Sequence, residues 1–204
     1  MSKQPVYTLD TFTANLPIWD KILDEPYKDS FKFSPTYILD IGAGEGPATI
    51  WFAENLMENA RSKVFSLDSW YQRETEKRFD ANVSDSGISY RVIKQKGSVI
   101  HNLCELAVKS TNLTRFTIIN YNYSTSSVEA FNILSLAFSL LLKDDGLLVI
   151  NNVDAVHKIN TLGGFAVHYK EALGFLQKLY AGRFEVISTE KLLILKKLTP
   201  EQII

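Results

Sequence analysis

The residues in this chain that could do chemistry stand at the ends of apolar runs. Gly42-Ala43-Gly44-Glu45-Gly46 follows one run and precedes a helical pattern, and Asp68 ends the next run, 22 residues after Gly46. Glycines in a strand-to-helix turn allow left-handed backbone angles and let a ligand approach a helix N-terminus. A carboxylate can accept hydrogen bonds from both hydroxyls of a ribose. These features predict a site for a nucleoside-bearing cofactor; the alternatives are a purely structural turn and a helix N-cap or surface loop acid at Asp68.

The acid before the turn argues against a dinucleotide. A dinucleotide-binding turn has the spacing G-x-G-x-x-G, whereas this chain has Gly42-x-Gly44-x-Gly46 followed by Pro47. Asp40, two residues before Gly42, would repel a pyrophosphate but would suit a cationic or amine-bearing ligand. The turn therefore favours a different nucleoside cofactor.

Composition limits the classes of protein that this chain can belong to. With 204 residues, 46% of them hydrophobic, we expect a single globular domain, in which an N-terminal cap (1–36) packs on a core (37–204). A net charge of -1 gives no reason to expect a nucleic acid or a membrane as partner. Cys104 is the only cysteine, which excludes an internal disulfide. We expect a cytoplasmic protein, and a homo-oligomer is compatible with its composition.

Strand and helix patterns alternate along most of the chain. Apolar runs predict strands at 37–41, 63–68, 90–93, 116–120, 147–150, 184–187 and 192–195. Helical spacing and capping residues predict helices at 17–23, 47–60, 70–87, 98–107, 126–142 and 165–181. Because parallel neighbours need crossover connections, we predict an α/β fold: a Rossmann-like, doubly wound, mainly parallel seven-stranded sheet with a C-terminal antiparallel hairpin.

The run Ile38-Leu39-Asp40-Ile41 and its glycine turn resemble the first motif of the class I S-adenosylmethionine-dependent methyltransferases. From about Ile18 to Lys197 the chain is similar to the methyltransferase-domain family related to macrocin-type O-methyltransferases. The other matching stretches, in the family's order and spacing, are 15–19, 51–55, 67–70, 78–82, 96–98, 140–146 and 169–197. The resemblance implies S-adenosylmethionine as cofactor and S-adenosylhomocysteine as product.

The resemblance also assigns roles to individual residues. Gly42 and Gly44 would line the methionine part of the cofactor, and Asp68 would hold the ribose hydroxyls. Asp40 would contact the amino-acid end directly or through water. Ser98 would lie near the adenine, and Asn120 would border the sulfonium. The complete set of expected cofactor-binding residues is Asp40, Gly42, Ala43, Gly44, Asp68, Ser69, Ser98 and Asn120.

Two strand ends depart from the family's pattern. Relatives usually carry acids and a histidine after the fourth strand and Asp-Asp-Tyr after the fifth. This chain has Asn120-Tyr121-Asn122-Tyr123 and Asn151-Asn152-Val153 at those places. In metal-dependent members these acids hold a divalent cation, which needs carboxylate oxygens as ligands. We therefore expect no metal.

The same departures remove the usual general base. The remaining candidates are Asp154, His157, Tyr121 and Tyr123, and each also fits a role as a loop polar residue or a packing aromatic. Methyl transfer from a sulfonium relies mainly on positioning, so a nucleophilic acceptor needs little proton chemistry. An alcohol acceptor would still need a base.

Three functions are compatible with these residues. The favoured one is S-adenosylmethionine-dependent methyl transfer to a small-molecule acceptor without a metal. The second is a catalytically inactive methyltransferase-fold module that binds the cofactor or a partner, because the acids after two strands are missing together. The third, a nicotinamide-dependent enzyme, is disfavoured by the glycine spacing and by the closing hairpin.

Overall fold

The computed structural model describes residues 4–8, 12–21, 34–109, 115–123, 125–151, 173–188 and 192–203. The chain divides into two compact units, Met1–Gly97 and Ser98–Ile204. Among the described residues, seven strands belong to one mixed sheet. Five strand pairings are described, of which three are parallel and two, which involve the last two strands, are antiparallel. The predicted α/β fold is therefore confirmed.

The first unit contains three parallel strands in the order β3-β2-β1. They are β1 (Tyr37–Ile41), β2 (Lys63–Asp68) and β3 (Val92–Lys96). Its helices are α1 (Leu16–Trp19), α2 (Pro47–Asn55) and α3 (Arg73–Asp85), with 3-10 turns at Thr13–Asn15 and Ser89–Arg91. The bounds of β1 and β2 agree with the prediction, because continuous apolar runs of this length form strands that are buried on both faces.

Helix α1 is short. The predicted helix began at Pro17, and α1 begins one residue earlier and ends at Trp19. Pro17 lies in its first turn, as predicted, where the missing N–H would have no partner within the helix. The end of the predicted helix, residues 22 and 23, lies outside the described residues.

The N-terminal cap packs on α2 through aromatic rings. Phe12 and Trp19 are both buried. The ring centroid of Trp19 lies 5.0 Å from that of Phe52, 5.8 Å from that of Trp51 and 5.4 Å from that of Phe12. Aromatic side chains at such distances bury large apolar areas. The described part of the cap around these residues therefore contributes to the core of the first unit.

Helix α2 ends earlier than its apolar periodicity predicts. The predicted helix ran to Ala60, but α2 ends at Asn55 and Ala60 is exposed. Asn59 forms a local turn in which its side-chain oxygen accepts a hydrogen bond from the Arg61 N–H at 2.9 Å. Such side-chain-to-backbone bonds compete with helix formation. Two apolar residues beyond the helix are buried without being helical, which explains the overestimate: Leu56 and Met57.

Two further elements of the first unit begin later than predicted. The strand predicted at 90–93 begins at Val92, because Ser89–Arg91 forms a 3-10 turn. The helix predicted from Trp70 begins at Arg73. Trp70 has a φ of 40°, in the left-handed region, which an α-helix excludes.

The second unit contains four strands in the order β4-β5-β7-β6. They are β4 (Phe116–Tyr121), β5 (Leu142–Ile150), β6 (Phe184–Ser188) and β7 (Leu193–Lys197). The helices are α4 (Val99–Lys109), α5 (Ser127–Leu136) and α6, the described part of which is residues 173–179. The predicted closing hairpin is confirmed, since β6 pairs antiparallel with β7, and β7 with β5.

Helix α5 begins as predicted and ends early. The Ser126 side chain accepts a hydrogen bond from the Glu129 N–H at 3.3 Å, which is the N-cap half of a capping box. The helix was predicted to continue to residue 142. Instead α5 ends at Leu136, and one π-helical segment, Ala137–Leu141, leads directly into β5.

Strand β5 begins five residues before its predicted start at Leu147. The register with β4 shifts between the pair Phe116–Leu142 and the pair Ile118–Leu147. Gly146 is required in this irregular part, since an added Cβ would lie 2.8 Å from the Lys143 carbonyl oxygen. Asp145 and Gly146 thus lie within β5, at the register shift, and Asp145 has a φ of 60°. Within the described part of the chain, no helix is long and apolar enough to cross a membrane.

Candidate functional site

The glycine turn, residues 42–46, joins β1 to α2. Gly42, Gly44 and Gly46 have φ angles of 82°, 55° and 93°, which side chains rarely adopt. An added Cβ at Gly44 would have nothing within 4 Å, whereas one at Gly46 would lie 3.1 Å from the Phe79 ring. The turn is therefore open at Gly44 and packed at Gly46.

The main-chain N–H groups of the turn donate hydrogen bonds within the protein. Gly42 and Ala43 donate to the Leu67 carbonyl oxygen at 2.8 and 3.3 Å, and Gly46 donates to Ala43 at 2.9 Å. Gly44 donates to a carboxylate oxygen of Asp68 at 3.0 Å. The turn uses these donors to hold β1 and β2 together, so what it offers a ligand is a surface without side chains at Gly44.

Asp68 lies at the end of β2 with its carboxylate against the turn. Besides the bond from Gly44 to Oδ2, its Oδ1 accepts from the Trp70 N–H at 3.0 Å and from the Ser69 hydroxyl at 3.3 Å. A carboxylate accepts about four hydrogen bonds, so these three bonds leave one position on Oδ2 for a ligand. The N-cap of α3 is Gln72, so the alternative explanation of Asp68 as an N-cap is wrong.

Trp70 is a part of this site to which the sequence assigned no role. It is 2% exposed, and its indole N–H donates to the Gly44 carbonyl oxygen at 2.8 Å. Its ring centroid lies 4.8 Å from that of Phe79, and the Lys94 ammonium lies 5.0 Å from the ring centroid, within cation–π range. Trp70 therefore holds the turn by its N–H and α3 by its ring. The spacing of apolar residues does not predict this role, because the role depends on the left-handed φ of Trp70.

Asp40 belongs to a buried polar group in the first unit. It is 0% exposed and accepts a hydrogen bond from the Thr49 hydroxyl at 2.6 Å. The Thr49 and Ser66 hydroxyl oxygens are 2.8 Å apart, and both residues are fully buried. A buried carboxylate requires such donors. Asp40 has no exposed surface, so this geometry favours a contact with the ligand through water over a direct contact.

Glu45, inside the turn, also had no predicted role. It is 5% exposed and accepts hydrogen bonds from the Thr8 N–H at 2.6 Å and from an Arg78 N–H at 2.9 Å. Burial raises the pKa of this carboxyl, but the bonds from Thr8 and Arg78 and the Arg78 charge outweigh burial and hold the pKa below its ordinary value. Glu45 is therefore ionised at neutral pH. A charged residue between two turn glycines is the signal that could have identified it.

The predicted site residues of the second unit include a pair of amides. Asn120 is the second-last residue of β4, next to Tyr121, and Asn151 follows β5. The Asn151 amide N–H donates to the Asn120 side-chain oxygen and, at 3.2 Å, to the Tyr121 carbonyl oxygen. Both amides are buried. Ser98 precedes α4, and its hydroxyl oxygen accepts from the His101 N–H at 3.4 Å.

Exchanging the two amides for acids is expected to have unequal effects. Asn151→Asp removes the donor and places two acceptors against each other, which should destabilise the protein by about 1–3 kcal/mol. Asn120→Asp keeps an acceptor for the Asn151 N–H and should cost less. Urea unfolding of both variants at pH 7 measures the difference. Equal losses of stability would contradict the assigned direction of the hydrogen bond.

Of the four candidate general bases, the structure describes Tyr121 and Tyr123, and Tyr121 is the more buried of the two. Its side chain is 1% exposed. Burial raises the pKa of its phenol, and the nearby Glu129 and Tyr123 raise it further. A phenol with a raised pKa stays protonated at neutral pH, so Tyr121 is not available as a general base, and the same shift makes it a weaker proton donor. The other candidates, Asp154 and His157, and also Asn152, lie outside the described residues.

Among the described residues, no three His, Cys, Asp or Glu side chains form a group that could hold a metal ion. At the ends of β4 and β5, where metal-dependent relatives carry acids, the described side chains are the amides of Asn120 and Asn151. Amide oxygens without a carboxylate are weak ligands for Mg²⁺.

Comparison with known proteins gives matches at the level of structure. No protein-family model matches the sequence, and no curated protein matches it. A Klebsiella pneumoniae protein provisionally described as an O-methyltransferase matches with a TM-score of 0.70 and 15% identity, over 95% of this chain and 84% of that chain. The O-methyltransferase from Bacillus cereus in complex with SAH matches with a TM-score of 0.69 and 14% identity, over 94% and 84%.

A third match carries a different provisional description. A Clostridium thermocellum protein provisionally described as an rRNA methylase matches with a TM-score of 0.65 and 17% identity, over 95% of this chain and 99% of that chain. At these identities the likeness establishes the fold. The chain has the Rossmann-like fold of the class I S-adenosylmethionine-dependent methyltransferases.

Proposed function

We propose that this protein transfers a methyl group from S-adenosylmethionine to a small-molecule acceptor without using a metal. The observation that carries the proposal is the hydrogen bond between Gly44 and Asp68. This bond places the acid at the end of β2 directly against the glycine turn at the end of β1. The two features that the sequence predicted for a nucleoside cofactor are therefore parts of one site.

The residues present fit the cofactor. Asp68 keeps one acceptor position on Oδ2, which suits a ribose hydroxyl. Gly44 leaves space beside the turn, which suits the methionine part. Asp40, a buried acid within β1 two residues before the turn, would favour an amine-bearing ligand in its ionised form. When bound, the sulfonium would supply an electrophilic methyl group.

The B. cereus O-methyltransferase supports the choice of cofactor, since it has the same fold and is in complex with SAH. The proposed product, S-adenosylhomocysteine, is the same compound. The near-neutral net charge of -1 favours a small molecule over a nucleic acid as acceptor, because nucleic-acid binding depends on phosphate neutralisation by Lys and Arg.

The metal-free part of the proposal rests on the paired amides. Asn120 and Asn151 are neutral amides joined by a hydrogen bond, so these two side chains carry no charge for a cation to compensate. Catalysis would then depend on positioning of the acceptor. Tyr121, with its raised pKa, would keep its proton, and Asp154, His157 and Tyr123 stay the candidates for a base if the acceptor is an alcohol.

A second candidate function is favoured by the same amide pair. A methyltransferase-fold module that has lost catalysis would bind the cofactor or a partner and transfer nothing. Replacement of acids by buried, mutually bonded amides at two strand ends is compatible with that loss. The two functions share the cofactor and differ only in turnover.

Two experiments separate these functions. Isothermal titration with S-adenosylmethionine and with NAD should give heat with the former and none with the latter. The absence of heat with S-adenosylmethionine would refute both cofactor-binding proposals, and heat with NAD alone would favour a nicotinamide-dependent enzyme. If S-adenosylmethionine binds, turnover over a panel of alcohols, amines and sugars, with EDTA or with added Mg²⁺, tests catalysis. Activity that EDTA abolishes would contradict the metal-free proposal.

A further inference from the structure

Residues 4–8 attach to the glycine turn through side chains. Glu45 accepts from the Thr8 N–H at 2.6 Å and from the Thr8 hydroxyl at 2.5 Å. Arg78 donates to the same Glu45 carboxylate at 2.9 Å and to the Thr8 hydroxyl oxygen at 2.6 Å. The Thr8 hydroxyl thus stands between a cation and an anion, and Glu45 is the residue of the turn on which these contacts converge.

A second set of contacts reaches the same segment from α3. The Asn82 side chain accepts from the Val6 N–H at 3.0 Å and donates to the Val6 carbonyl oxygen at 3.1 Å, as a strand neighbour would. Its amide also donates to the Glu45 carbonyl oxygen at 3.0 Å. Asn82 is 5% exposed. The segment and the turn therefore share two polar side chains on α3, Arg78 and Asn82.

We propose that Glu45 is a positioning residue that couples docking of residues 4–8 to the conformation of the glycine turn, and thereby to cofactor binding. This inference rests on the proposed function for its ligand and on the described contacts for its mechanism. Glu45 lies between Gly44 and Gly46, whose positive φ angles are not favoured by local interactions alone. Glu45 accepts hydrogen bonds with its side chain and with its carbonyl oxygen. These bonds hold Glu45 in place between the two glycines.

Coupling of this kind is reciprocal. If docking of the segment stabilises the conformation of the turn that binds the cofactor, then the cofactor stabilises docking by the same factor. The amide N–H groups give direct readouts for both sides, since Val6 and Thr8 donate in the docked segment and Gly44 and Gly46 donate in the formed turn.

The test uses the full chain with a matched pair of substitutions at an exposed position. Thr8→Val removes the hydroxyl that links Glu45 and Arg78, and Thr8→Ser keeps it. Glu45→Gln removes the charge at the other end of the contact. Amide exchange measured by NMR without ligand should accelerate at Gly44 and Gly46 by at least about fivefold in Thr8→Val and Glu45→Gln, the lower end of usual coupling factors. Thr8→Ser should exchange like the unsubstituted protein.

The proposal would be overturned if Thr8→Val accelerated amide exchange at Val6 and Thr8 but left it unchanged at Gly44 and Gly46. The segment would then undock without affecting the turn. Titration with S-adenosylhomocysteine is the second arm. Its Kd should rise by about the same factor in Thr8→Val and stay unchanged in Thr8→Ser. If the unsubstituted protein does not bind it, the proposed function fails, and the ligand-free exchange at Gly44 and Gly46 still decides whether Glu45 positions the turn.

Discussion

Replacing Asp68 by alanine is expected to weaken S-adenosylmethionine binding by about 10- to 100-fold, since a hydrogen bond to a charged group contributes roughly 1.5–3 kcal/mol. Two losses add up in this variant. The ribose loses its acceptor on Oδ2, and the turn loses the acceptor of the Gly44 N–H. Isothermal titration measures the change in Kd. An unchanged affinity would refute the assignment of Asp68 to the ribose.

Controls can separate the ribose contact from the support of the turn. Asp68→Asn keeps a side-chain oxygen that can accept from Gly44 while it removes the charge, so recovery of most of the affinity would assign the effect to the turn. Ser69→Ala removes only the bond from the Ser69 hydroxyl and should have a small effect. Asp85, an exposed acid at the end of α3, provides the matched control, because Asp85→Ala should leave the Kd unchanged.

Replacing Trp19 by alanine is expected to destabilise the protein by about 3–5 kcal/mol, the usual cost of removing a buried large aromatic side chain. Trp19 is 0% exposed and packs against the rings of Phe12, Trp51 and Phe52. Truncation would leave a cavity that these rings cannot fill without moving. Urea unfolding followed by tryptophan fluorescence or circular dichroism measures the change in the free energy of unfolding.

Two further variants serve as controls for this prediction. Trp19→Phe keeps a ring in the cluster and should cost clearly less than Trp19→Ala. Tyr71 is 83% exposed, so Tyr71→Ala should change stability by no more than about 0.5 kcal/mol. A loss below about 1 kcal/mol in Trp19→Ala would show that the N-terminal cap is not part of the cooperative core.

The strands and the turn could be predicted from the sequence because the patterns that identify them are local. The apolar runs at Tyr37–Ile41 and Lys63–Asp68 match β1 and β2 residue for residue. The turn glycines were assigned to left-handed backbone angles, and they have them. The ends of the helices were predicted less well. At Asn59 a side-chain turn ended the helical pattern, and at Trp70 a left-handed φ delayed the next helix.

Part of the candidate site could be predicted from the sequence. Asp68 was selected by its distance from the turn along the chain, and the structure places its carboxylate on Gly44. Trp70 and Glu45 had no assigned role, because their bonds to Gly44 and Thr8 join residues that are far apart in the sequence. Asp40 was selected by its position before the turn, but the Thr49 and Ser66 hydroxyls that accompany it were not predicted.

By itself the sequence determined the order of strands and helices, the need for glycine in the turn and the acid at the end of the second strand. These properties depend on side-chain periodicity and on backbone angles, which neighbouring residues control. Tertiary structure alone decided the hydrogen-bond partners: Gly44 with Asp68, 24 residues apart; Thr8 with Glu45, 37 apart; and Val6 with Asn82, 76 apart. The physical reason is that a buried polar group must find a partner, and packing decides which group lies within reach.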